Sequence, residues 1–192
     1  MLPLTRSDLF SLEHYAEQRP QLRREILAHK RNRHIALGEH VRLLFEDRLT
    51  IQYQIQEMLR VERIFEAAAI QAELDAYNPL IPNGDNLKAT MLIEYEDERE
   101  RRAALERLRG IERQIYAQVD ATRIYAIADE DLERENEHKT ASVHFLRFQF
   151  EASTIAALRA GARFVFGSDH PQYQSHVVMT QEQRQALLAD FS

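Results

Sequence analysis

The sequence predicts an α+β fold, with N-terminal helices, one of them long, packed on a mainly antiparallel sheet that carries short interleaved helices. Three observations predict it. Apolar residues recur at helical spacing through most of residues 1–77, apart from a short alternating stretch after Gly38. From residue 86 to the end the period changes to strict alternation, broken by short helical stretches. The chain has no internal repeat and no low-complexity tract, and helices followed by strands give segregated layers rather than a βαβ series. The expected organisation is one domain over 1–192, with a helical part at 1–77 and a sheet-containing part at 86–192.

Ser7 or Asp8 suits the cap of a short helix ending near Arg19-Pro20, and Pro20 suits the first turn of a second helix carrying Leu22, Ile26 and Leu27 on one side. After Gly38, Val41, Leu43 and Phe45 alternate as in a strand. The longest helix is expected from about Leu49 to Tyr77, with Ile51, Ile55, Met58, Phe65 and Ala69 as its apolar stripe and Val61 and Ile64 widening it. Asn78-Pro79 ends it, since a residue before proline avoids the helical region. NPLIPNGDN is a turn-rich connector.

Leu87, Ala89, Met91, Ile93 and Tyr95 then alternate with Lys88, Thr90, Leu92 and Glu94, the pattern of a strand. EDERERRAALERLRG is a surface helix that Gly110 can stop. Ile115, Ala117 and Val119 mark a further strand, and RIYAIA another or its continuation. ADEDLERENEHK reads as a short acidic helix or loop with Asp129 as a cap. SVHFLRFQF is the cleanest strand, STIAALRAG a helix closed by Gly161, and ARFVFG and SHVVM two short strands. Thr180 and Gln183 form a capping box for the last helix.

Composition excludes several chemistries. The 192 residues include no cysteine, which removes disulfides, thiolate catalysis and clusters held by this chain's own thiolates. The 44% apolar and 29% charged shares are those of an ordinary globular protein. A net charge of −6 does not attract nucleic acid, although RPQLRREILAHKRNRH is a local basic run that suits an acidic partner or RNA, or a solvated helix. MLPLTRSDLF lacks the charged-then-apolar design of a secretory signal and no apolar run approaches a membrane span, so a cytoplasmic protein is expected. Five scattered glycines leave no phosphate-cradling loop, and neither a Gly-x-Ser-x-Gly elbow nor a His-x-x-x-His pair with a glutamate between occurs.

Polar groups set into apolar elements are the remaining candidates. Glu57 shares a helix side with Gln54, Val61 and Ile64, so it is either a ligand or general base, or the partner of Arg60, Arg63 or another arginine. Glu57 and Glu62 point about 140° apart on one helix and cannot share a metal. In SVHFLRFQF, His144 falls on the apolar face with Leu146, Phe148 and Phe150, while Arg147 lies on the other with Val143 and Phe145. Arg147 suits a carboxylate such as Glu57 or Glu94, or bidentate grip of an anion. In GSDHPQY, Gly167, Asp169 and Pro171 are turn chemistry, yet Asp169 also suits orienting an imidazole or binding a metal, and Tyr173 suits donation of a proton. Two functional classes follow. One is a binding or accessory protein using Glu57, Arg60, His144, Arg147, Asp169, His170 and Tyr173. The other is a metal-dependent enzyme in which His144, His170 and Glu57 or Asp169 make a two-histidine, one-carboxylate face.

LFEDRLTIQYQIQEMLRVERI, AYNPLIPNGDNLKATMLIEY, IADEDLERENEHKTASVHFLRF and GSDHPQY together resemble the uncharacterised bacterial domain-of-unknown-function family numbered three-five-zero-one, in order and over most of the chain. The matching residues are Gln56, Glu57, Arg60, Glu62, Asn78, Lys139, Thr140, His144, Arg147, Asp169, His170 and Tyr173. The resemblance assigns them no role. It implies a cytoplasmic setting near redox or peroxide handling, since such proteins are often encoded beside a rubrerythrin-like protein and a heterodisulfide-reductase-related iron–sulfur protein. This chain would be the partner that carries neither the cluster nor the di-iron site.

Overall fold

The computed structural model describes residues 2–128 and 140–192. In chain order it contains α1 (Leu12–Lys30), β1 (His34–Leu37), β2 (Val41–Glu46), α2 (Arg48–Val61), α3 (Ala67–Tyr77), β3 (Asn86–Ile93), α4 (Glu98–Arg107), β4 (Ile115–Val119), β5 (Thr122–Tyr125), β6 (Ile127–Ala128), β7 (Val143–Gln149), α5 (Ala152–Arg159), β8 (Phe164–His170), β9 (Tyr173–Val178) and α6 (Gln181–Leu188). The fold is α+β, with two antiparallel sheets. The first has the order β1-β2-β3-β7-β6 and the second β5-β4-β8-β9.

The alternation read in the sequence is the alternation of burial. Leu87, Ala89, Met91 and Ile93 of β3 face inward, as do His144, Leu146 and Phe148 of β7. The apolar side chains among these meet Ile115, Ala117, Phe164 and Phe166 from the second sheet in one core. Phe166 stands at its centre, with ring centroids 4.8 Å from Phe45 and 5.3 Å from Phe148 across the gap between sheets. A second, smaller core holds the helical layer together through Leu4, Ile51, Ile55, Leu59, Leu74 and Ile81.

Three helix boundaries differ from the sequence reading. The first helix is capped by Ser11 rather than by Ser7 or Asp8, which sit at a short 3-10 turn before it. Pro20 does not separate two helices, because α1 runs through it. Tyr15 before the proline and Ile26 after it are both buried, and burial on either side outweighs the lost backbone bond. Conversely, the helix expected over Leu49–Tyr77 is two. Arg63 adopts a left-handed φ of 55° and the Ile64 N–H returns to the Leu59 carbonyl at 2.9 Å, which closes α2 as a Schellman-type turn. Val61 and Phe65, expected in the apolar stripe, are therefore exposed, while Ile64 beyond the turn still packs against the second core.

Other signals hold. Asp97 caps α4, Gly110 turns left-handed shortly after it, and Thr180 and Gln183 form their capping box. The cap expected at Asp129 lies outside the described residues. The GSDHPQY stretch is a hairpin: β8 extends through Asp169 and His170, Pro171 and Gln172 form the turn, and Tyr173 opens β9. Among the described residues no helix is long and apolar enough to cross a membrane.

Candidate functional site

Most of the candidate residues act as internal fasteners. Glu57 is gripped by Arg19, whose Nε and Nη2 donate to its two carboxylate oxygens at 2.6 and 2.9 Å. The Tyr15 hydroxyl and Arg60 also donate to it. Arg19 above all, with Tyr15 and Arg60 behind it, holds this carboxyl down to about 2 against the opposing effect of burial. Glu57 thus ties α1 to α2. Gln56 and Asn78 do similar work on the N-terminal segment. The Gln56 side chain bonds both backbone groups of Phe10, and the Asn78 side chain bonds both of Leu4.

His144 lies on the inner face of β7, buried. Its Nε2 lies 2.9 Å from both the Ala141 carbonyl, which can only accept, and the Thr140 hydroxyl. Asp169 and His170 are neighbours in a strand and so face opposite ways. Asp169 accepts from Arg123 and from the Tyr125 hydroxyl, both at 2.6 Å. His170 faces inward, donating through Nε2 to the Arg109 carbonyl and accepting the Gln172 N–H at Nδ1. The Tyr173 hydroxyl crosses to the β1–β2 turn, where it donates to the Leu37 carbonyl and accepts from the His40 and Val41 N–H groups. Of the seven candidates, the structure joins Glu57 to Arg60 and pairs His170 with Tyr173 across the hairpin. Glu57, His144 and His170 each have other partners, and among the described residues no group of three or more His, Asp or Glu side chains is placed to hold a metal ion.

Arg147 behaves differently. The carboxylates expected as its partners are taken: Glu57 by Arg19, and Glu94 by Arg42. Arg147 faces outward from the first sheet, in a cross-strand row that runs Glu46, Lys88, Arg147, Ile127 over β2, β3, β7 and β6. The next row adds Leu44, Thr90 and Phe145. The connector after α3 brings Pro79 and Leu80 alongside, and the result is a groove of about 590 Å³.

Within the groove, Glu46 is already occupied. Its two oxygens accept from the Thr90 and Thr50 hydroxyls at 2.8 and 2.7 Å. Arg147 donates to the neutral Gln149 amide at 2.8 Å, and Lys88 to the Pro79 carbonyl. Among the described residues neither cation has a carboxylate within ion-pair distance. Burial, and then the Arg147 charge, lower the pKa of the Lys88 amine. Two like charges directly opposite in an antiparallel pair repel one another, a local conflict of the kind found at sites. Lys88 is absent from the sequence candidates because alternation marks it only as an outward-facing strand residue. Its pairing with Arg147 depends on register.

An antiparallel α+β protein with a cationic groove on one sheet face is thus the class that fold and geometry define. The chain belongs to the family described as protein of unknown function (DUF3501), whose model matches residues 3–191. A crystal structure of a novel protein of unknown function from Burkholderia pseudomallei K96243 is similar to it, with a TM-score of 0.94 and 50% identity over 100% of both chains. No curated protein matches the chain.

Proposed function

We propose that this protein binds a small organic anion in the groove on the outer face of the first sheet. One observation carries the reading: Lys88 and Arg147 are direct cross-strand partners, both half-buried, with no carboxylate paired to either among the described residues. An anion seated between them relieves their repulsion, and the guanidinium supplies a planar fork for a carboxylate or phosphate. Phe145, Leu80 and Ile127 offer apolar surface for the rest of the molecule.

Calorimetric titration and thermal melting against a panel of organic carboxylates and phosphates test this. The expected result is saturable binding that stabilises the fold, by about 2.7 kcal/mol at a ligand concentration of 100 Kd. Arg147→Gln should weaken it at least tenfold, about 1.4 kcal/mol. Absence of saturable binding across the panel, or affinity untouched by Arg147→Gln, would overturn the reading.

We also propose, on the family resemblance rather than on the groove, that the protein serves as an accessory component of a redox or peroxide-handling system. A chain without cysteine leaves any thiolate-held cluster to its partner. Co-purification with an iron–sulfur or rubrerythrin-like protein tests this, and no association at micromolar concentration would count against it.

A further inference from the structure

We propose that Lys88 is a nucleophilic amine that captures the carbonyl carbon of a 2-oxo acid held in the groove, forming an imine. The proposal rests on the groove being an anion site, and it names the class of anion and what happens to it.

The placement of Lys88 supports this. It occupies the middle of the cross-strand row, with Glu46 on one side and Arg147 on the other. Direct cross-strand partners stand with their Cβ atoms roughly 4.5–5.5 Å apart, close enough for one small molecule to touch both side chains. A 2-oxo acid carries its carboxylate one bond from an electrophilic carbon. Arg147 on the carboxylate therefore brings that carbon towards the Lys88 amine.

The surroundings of the amine lower its pKa below the ordinary lysine value. Its hydrogen-bond partner is the Pro79 carbonyl, a neutral acceptor that fixes position without the full negative charge that would hold the third proton. The guanidinium across the strand pair disfavours an ammonium ion. The apolar wall of Phe145, Leu80 and Ile127 disfavours it further. Both influences lower the lysine pKa, desolvation first and Arg147 second, and together they outweigh the Asp85 charge, which raises it. A desolvated lysine beside a second cation is a recognised route to an amine nucleophile. An arginine here could not play the part, since it does not deprotonate in proteins. Of the 25 basic residues in the chain, only Lys30, Lys88 and Lys139 are lysines, and one of the three stands in the groove.

The step balances without a further reagent. The nitrogen lone pair attacks the carbonyl carbon, the C=O electron pair moves to oxygen, and a proton transferred from nitrogen gives a carbinolamine. Loss of hydroxide with one more proton releases water and leaves C=N. Hydrolysis reverses it. Glu46 is the one carboxylate lining the groove among the described residues, and its oxygens are already turned to two threonine hydroxyls.

Borohydride trapping tests the proposal. The full chain is incubated with phenylpyruvate and cyanoborohydride near neutral pH, and the adduct is located by peptide mass mapping. Binding of phenyllactate, which has the carboxylate but no carbonyl, is measured on the same protein. The expected result is a single adduct on Lys88, lost in Lys88→Arg, retained in Lys30→Arg, and formed about tenfold more slowly in Arg147→Gln. Circular dichroism of each variant verifies the fold, and the Arg147→Gln rate keeps the test informative if Lys88→Arg misfolds. Phenyllactate binding without a Lys88 adduct overturns the imine and leaves the groove reading standing. Equal labelling of Lys30 and Lys88, or a rate indifferent to Arg147→Gln, also overturns it. If neither compound binds, both readings fall.

Discussion

Arg33 offers the sharpest test of how the first sheet is tied to the C-terminal helix. It is 1% exposed and fully committed. Its Nε donates to the Phe45 carbonyl, Nη1 to Ala186, and Nη2 to both the Glu46 carbonyl and Asp190. Asp47 Oδ2 lies 3.5 Å from Nη1 and 2.5 Å from His29 Nε2. One guanidinium thus links the β2 end to α6 and the C-terminal residues. Arg33→Met keeps much of the volume but strands Asp190, itself 2% exposed, and removes donors from three carbonyls. Breaking one side of such a buried pair costs about 3–5 kcal/mol. The loss should also depend on pH. Burial, offset in part by Arg33, holds the Asp190 carboxyl up to about 6 from an ordinary 3.8. Between those values the folded state binds the extra proton, so wild-type stability falls as pH rises from about 4 to 6, by roughly 3 kcal/mol. Without Arg33 nothing compensates the buried carboxylate, and the variant should be worst above pH 6 and recover towards pH 4, where Asp190 is neutral. Urea melts of both proteins across pH 4–8 read this directly. A penalty below about 1 kcal/mol, or one flat with pH, would show that Asp190 is not the buried charge described here.

Three further outcomes are expected. Tyr173→Phe removes the hydroxyl that ties the β8–β9 hairpin to the β1–β2 turn, and should cost about 1–3 kcal/mol in denaturant melts, with faster amide exchange at His40 and Val41. Gly167→Ala should destabilise by about 1–3 kcal/mol. An added Cβ there overlaps the Tyr116 ring and comes within 2.9 Å of the Ser175 carbonyl, so Tyr116→Ala in the same chain should recover part of the loss. Glu57→Gln breaks the Arg19 fork and should cost about 1.5–3 kcal/mol at neutral pH. Because the folded Glu57 carboxyl titrates at about 2 rather than 4.5, its contribution is complete above 4.5 and fades as pH falls towards 2, where wild type and variant should converge.

The legible part of the fold was the part governed by a local period. Alternation in Leu87–Ile93 and in Val143–Gln149 is the burial pattern of β3 and β7 because each strand has one face on the shared core. The illegible boundaries were those where tertiary packing overrode local chemistry. Nothing in VERIF announces a break, since the left-handed position falls on Arg63 rather than on a glycine. Nothing in EQRPQL announces continuity through Pro20, which depends on Tyr15 and Ile26 both finding cover.

The candidate residues divide on a criterion that composition cannot supply. Glu57 was singled out as a polar group in an apolar stripe, Gln56 and Asn78 by the family pattern, and Asp169, His170 and Tyr173 by the GSDHPQY stretch, and each hydrogen-bonds to groups inside the molecule. Such groups fasten one element to another, and the atoms so engaged have little to offer a ligand. Arg147 was singled out as a charge set into an apolar strand, yet among the described residues its hydrogen-bond partner is a neutral amide. The difference arises from register: shifting β7 by one residue against β3 would move Arg147 to the core face and His144 outward. Register is fixed by Leu146 and Phe148 packing inward opposite Ala89 and Leu87, so the apolar core decides that Arg147 must face Lys88. The cationic groove is therefore a consequence of how the core aligns two strands. Substitutions at Leu146 or Phe148 that alter this register should disturb anion binding along with stability, whereas loss of the Glu57 clamp should affect stability alone.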